Sequence, residues 1–137
     1  QIVKGNSYKY GYSIRVTICF YQKTKRHWFL LKLRKLLGKD WKIRKRNDGM
    51  SELYITGFTP VKNILISLQP YFRLKPRLAK LVLEIIDEYS QIQNEADFLE
   101  VCKKIDKTAE YTDSKKRKNT YSSVKTYLNS PVETEKT

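Results

Sequence analysis

From residue 12 to residue 21, apolar and polar residues alternate without interruption. One set is apolar or aromatic: Tyr12, Ile14, Val16, Ile18 and Phe20. The other set is more polar: Ser13, Arg15, Thr17, Cys19 and Tyr21. Because successive side chains of a strand point to opposite faces, this period of two predicts a half-buried antiparallel strand.

Two hairpins are predicted around this pattern. Residues 1–4 are expected to pair with the alternating strand through a turn at Gly5-Asn6-Ser7. A second hairpin joins residues 41–46 to residues 52–56 through Asn47-Asp48-Gly49. Both connections consist of residue types that favour turns.

Apolar residues at helical spacing predict helices over residues 24–37, 61–68, 77–89 and 96–111, and a short one ending at Leu128. Thr24 is expected to cap the first helix and Gly38 to end it, while Pro70 ends the second. The order ββ-α-ββ-α-α-α has no parallel βαβ rhythm, so it predicts an α+β fold with helices on one face of an antiparallel sheet. We expect one domain over residues 1–130 and a disordered tail over 131–137.

Charge is distributed unevenly along the chain. The net charge is +14, and residues 1–80 carry 19 basic and 3 acidic side chains. Residues 81–137 carry 9 basic and 11 acidic side chains. The basic part predicts a polyanionic partner. No apolar run is long enough to span a bilayer, and one histidine with two cysteines far apart forms no zinc-ligand spacing.

The sheet face turned away from the helices is a candidate DNA-binding surface. It is expected to hold Gln1, Ser13, Arg15, Thr17 and Cys19 from the first hairpin, and Arg44, Arg46, Glu52 and Tyr54 from the second. A twisted antiparallel ribbon fits the major groove of duplex DNA, where arginine reads guanine through two hydrogen bonds. The alternative is an ordinary solvated face. The basic run at residues 115–118 suits phosphate contacts or, alternatively, is a disordered charge run.

Four strings of the sequence are informative: YQKTKRHWFL (21–30), LQPYFRLK (68–75), FLEVC (98–102) and DSKKRK (113–118). Together they resemble the single-motif LAGLIDADG homing endonucleases, and the resemblance covers residues 1 to about 130. It implies an antiparallel β-saddle backed by α-helices. It also implies an intron-encoded, homodimeric enzyme that uses Mg²⁺ to hydrolyse both strands of a long, pseudo-palindromic DNA target.

The resemblance also implies roles for individual residues. Gln22 matches a residue that organises the catalytic water, and Arg26 and Lys75 match basic residues near the scissile phosphates, where cations stabilise developing negative charge. Residues at target-reading positions are Gln1, Ser7, Tyr8, Ser13, Arg15, Cys19, Arg44, Arg46, Glu52 and Tyr54. Ser114, Lys115 and Lys118 fall on positions that contact the DNA backbone.

The family's metal-binding acid is expected just before Gln1, at the end of the LAGLIDADG helix. Residues 1–39 contain no Asp or Glu, so no metal ligand is assigned in this chain, and we expect the chain as written not to cleave DNA.

Two other functions stay open: an intron RNA-binding maturase, and a non-enzymatic basic nucleic-acid-binding protein. A composition that fits AT-rich coding, taken with the resemblance, suggests a plastid or mitochondrial location.

Overall fold

The structure is a computed structural model that describes residues 1–68, 75–112 and 117–130. Its strands are β1 (Ile2–Lys4), β2 (Tyr12–Ile14), β3 (Thr17–Lys23), β4 (Lys42–Lys45) and β5 (Met50–Thr56). Its α-helices are α1 (His27–Leu37), α2 (Phe58–Leu68), α3 (Pro76–Tyr89), α4 (Glu95–Lys107) and α5 (Tyr121–Asn129). The fold is α+β, as predicted, and the chain forms two compact units, Val16–Ile64 and Gln1–Arg15 with Leu65–Thr137.

The alternating strand predicted over residues 12–21 is divided between two sheets. The Arg15 amide donates to the Gln1 carbonyl at 2.8 Å, whereas the Val16 carbonyl accepts from the Gly57 amide at 3.1 Å. Strand partners therefore change between these two residues, which separates β2 from β3. The prediction of one continuous strand was wrong, because the alternation persists across the change of partner and reveals only the buried face.

The first unit contains the β1–β2 hairpin and three packed helices. Ile2 lies opposite Ile14, so the predicted pairing is confirmed. The connection is longer than the predicted turn and ends at Gly11, whose φ is +72°. A Cβ at Gly11 would lie 2.2 Å from the Tyr127 ring, so the position requires glycine. Helix α4 packs against α3 and α5 and buries Phe98, Val101, Cys102 and Ile105.

The second unit is built on an antiparallel sheet in the order β3-β5-β4. Helix α1 packs on one face of this sheet, where Leu30 and Leu53 are fully buried and the Phe20 and Trp41 rings stack at 5.7 Å. The β4–β5 hairpin closes through a three-residue loop: the Arg46 amide donates to the Met50 carbonyl at 2.7 Å. Gly49 has a φ of +80°, which matches the predicted turn.

Three helix boundaries differ from the predicted ones by three residues or more. The second helix begins at Phe58, three residues before the predicted start, and α4 ends at Lys107, followed by a 3₁₀ turn over Thr108–Tyr111. Thr24 does not cap α1; it begins a 3₁₀ turn, Thr24–Arg26, that precedes the helix. Gly38 ends α1 as predicted. Pro70 and the tail over 131–137 lie outside the described residues. No described helix has the length and apolar character needed to cross a membrane.

Candidate nucleic-acid interface

The β3-β5-β4 sheet has one face turned away from α1, here called the open face. Strand register sets Tyr21, Glu52 and Arg44 in one cross-strand row, and Cys19, Tyr54 and Lys42 in the next. The open face consists of Cys19, Tyr21, Lys42, Arg44, Glu52 and Tyr54, with Arg46 at its end. The residues that alternate with these along each strand, such as Phe20 and Leu53, point to the α1 side.

Glu52 joins two arginines on the open face. Its Oε2 accepts from Arg44 Nε at 3.0 Å and also from Arg44 Nη2, and its Oε1 accepts from Arg46 Nη1 at 3.2 Å. Glu52 is only 6% exposed, although it was predicted to be exposed on the DNA side. The two long arginine side chains cover the shorter carboxylate, and an alternating pattern cannot show that.

The arginines remain accessible while Glu52 fixes their orientation. The Arg44 side chain is 61% exposed and that of Arg46 is 41% exposed. Arg46 Nη2 also donates to Asp48 Oδ2 at 2.6 Å, and Arg44 lies over the Tyr54 ring at 5.6 Å. Hydrogen bonds from Arg44 to Glu52 raise the pKa of the guanidinium, so Arg44 is cationic at any physiological pH. Rigid guanidinium groups of this kind suit bidentate contacts with base edges.

Two neutral polar groups lie beside the arginines. Burial is the main cause that raises the pKa of the Cys19 thiol, and its hydrogen bond with Tyr21 is the main cause that raises the pKa of the Tyr21 hydroxyl. Both groups are therefore protonated at neutral pH. Tyr21 is 55% exposed, and Lys42 is exposed as well. Neither Tyr21 nor Lys42 was among the predicted contacts, although the alternation itself places both on this face.

The predicted catalytic residues Gln22 and Arg26 lie at and just after the end of β3. Gln22 is half-buried and pairs with Ser51 across the sheet, and Arg26 is exposed in the 3₁₀ turn. The buried Ser51 hydroxyl lies 2.9 Å from His27 Nδ1 and donates to Thr24 Oγ1 at 3.2 Å. These bonds hold both ends of the turn that carries Arg26. Sequence reasoning missed this Thr24–Ser51–His27 network because its members are far apart in the chain.

Lys75, the third predicted catalytic residue, lies in the other unit. It is exposed and directly precedes α3, with a left-handed backbone at φ +56°. A left-handed conformation is uncommon outside glycine and is typical of constrained sites. The other predicted contacts of that unit are exposed or half-buried: Gln1, Ser7, Tyr8, Ser13, Arg15 and Lys118. Ser114 and Lys115 lie outside the described residues.

A metal site is not formed by the residues that the structure describes. Among them, no three His, Cys, Asp or Glu side chains come together as a set of ligands. The carboxylate of Glu52 is already occupied by two arginines. The described residues therefore do not fit a divalent ion.

Comparison with known proteins identifies the family. No protein-family model matches the chain. It is 41% identical to DNA endonuclease I-CvuI from Chlorella vulgaris over 85% of this chain and 72% of that protein. It is also 38% identical to DNA endonuclease I-CreI from Chlamydomonas reinhardtii over 99% of this chain and 83% of that protein.

A crystal structure of homing endonuclease I-CvuI, in complex with the I-CreI target DNA and 2 mM Mg, has a TM-score of 0.85 to this chain. The match has 38% identity and covers 93% of this chain and 81% of that one, and the DNA in that complex is not cleaved. Another I-CvuI complex, on its own target with 2 mM Ca, matches equally well. Because the chain shares about 40% identity with these proteins over most of its length and has the same fold, it belongs to the LAGLIDADG homing endonucleases, a family of site-specific DNA endonucleases.

Proposed function

We propose that this protein cuts double-stranded DNA at a specific site and reads part of that site with the open face. The observation that carries the proposal is the pair of exposed arginines that Glu52 holds on one side of the sheet. Each guanidinium keeps N–H groups that are not used by Glu52, so each can donate to a guanine edge in the major groove. Because the arginines are already ordered, binding costs little side-chain entropy.

The strand register indicates which DNA contact each residue of the open face would make. Cys19, Tyr21 and Tyr54 surround the arginines and offer sulfur, hydroxyl and aromatic contacts. Lys42 lies in the row beside Arg44 and suits a phosphate, since an ammonium gives charge without directional pairing. For the other unit, Gln1, Ser7, Tyr8, Ser13 and Arg15 are proposed as further target contacts. Ser114, Lys115 and Lys118 are proposed as contacts to the DNA backbone.

Cleavage is assigned to Gln22, Arg26 and Lys75. We infer that the two cations bind phosphate oxygens beside the scissile bond and stabilise the charge that develops during hydrolysis. The Gln22 amide orients the attacking water. We propose Mg²⁺ as the metal of the reaction, because the DNA complex of a relative contains Mg.

The finer biological assignments are also proposals. A homodimer on a pseudo-palindromic target fits a chain whose two hairpins are too short to cover a long site alone. A plastid or mitochondrial intron as the gene's location fits the algal origin of the two relatives.

The proposal is tested by replacing Arg44 with alanine and selecting bound duplexes from a pool with randomised sequence. We expect Arg44→Ala to lose the preference at one base pair by about ten-fold or more. Lys45→Ala is the matched control. This variant removes the same charge from the same strand, but the Lys45 side chain points to the α1 side. If both variants change the selected sequence equally, or neither does, the open face does not read the target.

The catalytic assignment needs a separate measurement. In the presence of target DNA and Mg²⁺, Arg26→Ala should lower the cleavage rate about 100-fold with little effect on target affinity. Lys25→Ala, its exposed neighbour, should cleave at close to the original rate. Equal losses in the two variants would show that only the total charge of the turn matters.

A further inference from the structure

The loop that joins β1 to β2, Gly5–Gly11, carries two of the proposed target contacts. Ser7 and Tyr8 are both exposed in the middle of this loop. Three backbone hydrogen bonds cross it: the Gly5 amide donates to the Gly11 carbonyl at 3.1 Å, the Tyr8 amide to the Gly5 carbonyl at 3.2 Å, and the Gly11 amide to the Tyr8 carbonyl at 3.0 Å. The loop is longer than the common two-residue hairpin turns, so its position also depends on contacts outside it.

Aromatic rings from two helices hold the end of this loop that leads into β2. The Tyr10 ring stacks on Phe98 of α4 at a centroid distance of 4.9 Å, and Phe98 is only 2% exposed. At the next residue, the Tyr127 ring of α5 lies so close to Gly11 that a Cβ there would be 2.2 Å from its Cε1 atom. Tyr127 also meets the Tyr12 ring edge-on at a centroid distance of 5.6 Å. The loop therefore ends between a core aromatic residue and a ring of α5.

Gly11 and Tyr127 are matched in shape. Gly11 is buried and has a φ of +72°, a conformation that glycine adopts without strain. The Tyr127 ring fills the space that any larger residue at this position would need. The position of the ring therefore limits where the backbone can leave the loop and enter β2.

Helix α5 holds this ring from a fixed base. Its first turn is closed by a capping box between Thr120 and Ser123, and Val124 is fully buried. Just before the helix, Asn119 Nδ2 donates to the Ile2 carbonyl of β1 at 3.1 Å. The helix is thus bonded to the same hairpin whose loop its ring contacts.

The Tyr127 ring has one side against the hairpin and one side in solvent. Tyr127 is 48% exposed, whereas Phe98 is buried in the core of the unit. Because stabilisation by packing follows the apolar area that is buried, removing the Tyr127 ring should cost less than removing Phe98. Its contact with Gly11 has a further effect, since the bond from the Gly11 amide to the Tyr8 carbonyl means that a displaced Gly11 also displaces Tyr8.

We propose that Tyr127 is a positioning residue for target recognition. Its ring fixes Gly11, and Gly11 in turn fixes the backbone of Tyr8. The exposed side chains of Ser7 and Tyr8 then meet the DNA at fixed base pairs. This role rests on the proposed function, in which Ser7 and Tyr8 are target contacts. Tyr127 itself is assigned no contact with DNA.

The first experiment selects bound duplexes from a pool with randomised sequence, using the Tyr127→Leu variant. We expect the preference to fall roughly ten-fold at the base pairs that Ser7→Ala/Tyr8→Ala also affects. The preference that Arg44→Ala removes should be unchanged in Tyr127→Leu. Tyr127→Phe keeps the ring and should retain the preference of the original protein at every base pair.

Tyr121→Leu is the matched control. It makes the same substitution in the same helix, but the Tyr121 ring lies beneath the ammonium groups of Lys103 and Lys125. This variant should therefore leave the whole selected sequence unchanged.

Amide hydrogen exchange follows the loop in the absence of DNA. In Tyr127→Leu, the amides of Tyr8 and Gly11 should exchange about ten-fold faster, because both are protected by hydrogen bonds within the loop. The same two amides in Tyr121→Leu should exchange at close to the original rate.

Four outcomes would overturn the proposal. A loss of preference in Ser7→Ala/Tyr8→Ala but not in Tyr127→Leu would remove the positioning role and leave the target contacts in place. Equal effects of Tyr127→Leu and Tyr121→Leu, on preference or on exchange, would leave Tyr127 a role in stability alone. A loss in Tyr127→Phe as large as that in Tyr127→Leu would mean that the hydroxyl contacts the DNA directly. An unchanged preference in Ser7→Ala/Tyr8→Ala would refute the proposed function of the loop, and with it the role of Tyr127.

Discussion

The two faces of the β3-β5-β4 sheet are formed by alternate residues of the same strands, yet they have different chemistry. On the α1 side, Leu53 is fully buried and stabilises the unit by packing. On the open face, its neighbour Glu52 is buried only because two arginines cover it. The difference shows how a small sheet carries its core and its recognition residues on one backbone. Substitutions on one face should therefore change stability, and those on the other should change recognition.

The largest expected effect is on the α1 side. Leu53→Ala should lower the free energy of unfolding by about 3 kcal/mol, because it removes buried methyl groups and leaves a cavity. Tyr54→Ala, one residue along on the open face, should cost about 1 kcal/mol. Denaturant titration measures both values. Similar losses for the two variants would mean that the faces do not divide these roles.

Glu52→Gln tests the open face itself. The amide cannot accept from both arginines as the carboxylate does, so the guanidinium groups lose their fixed orientation. We expect discrimination among target sequences to fall about ten-fold, while affinity for unrelated duplexes rises because one negative charge is removed. Asp48→Asn, which removes a partner of Arg46 alone, should have a smaller effect on discrimination. If Glu52→Gln discriminates among target sequences as well as the original protein does, the carboxylate has no role in recognition.

Ser51 lies on the α1 side but anchors the turn that carries Arg26. Ser51→Ala removes its bonds to His27 and Thr24, and we expect a loss of about 1 kcal/mol in unfolding free energy. Thr17→Ala removes an exposed bond to Thr56 and should cost less. Thermal unfolding of both variants makes the comparison. A larger loss for Thr17→Ala would contradict the assignment of the anchor to Ser51.

The smallest effect concerns the two thiols. Cys102 is fully buried with its pKa raised by burial to about 12, whereas Cys19 lies half-buried on the open face with its pKa raised to a lesser degree. Because only the thiolate reacts, alkylation of Cys19 should be slow at neutral pH and should accelerate about ten-fold per pH unit until its raised pKa is reached.

Bound duplex should slow this alkylation several-fold, and mass spectrometry should detect no modified Cys102 in the folded chain. Cys19→Ser serves as the control. Alkylation of Cys19 that duplex DNA leaves unchanged would place the ligand elsewhere.

Sequence periodicity predicted the fold class and most elements because burial imposes it directly. Helix α1 is the exception: Trp28, Leu31, Leu36 and Leu37 all belong to its predicted apolar spacing, and each is at least 38% exposed. There the spacing predicted a helix but not its buried side. The division of the first strand could not be predicted, since Ile14 and Val16 are both buried on either side of it. Only the change of hydrogen-bond partner at Arg15 and Val16 reveals the division, and backbone partners leave no trace in residue type.

The candidate site was predictable to a different extent. Alternation placed Arg44 and Arg46 on one side of a strand, and the structure has both bonded to Glu52. The burial of Glu52 was not predictable, because it depends on the lengths and directions of arginine side chains across a strand pair. The roles of Gln22, Arg26 and Lys75 came from resemblance alone and remain predictions.

The three-residue loop between β4 and β5 limits how such a protein can evolve new targets. Shifting the strand register by one residue turns every side chain of that strand to the other face. An insertion beside Gly49 that shifts this register would exchange the arginine-bearing surface for the helix-covered one. Natural drift or laboratory libraries can vary the side chains of the open face, but they must keep the loop length that holds these positions on that face.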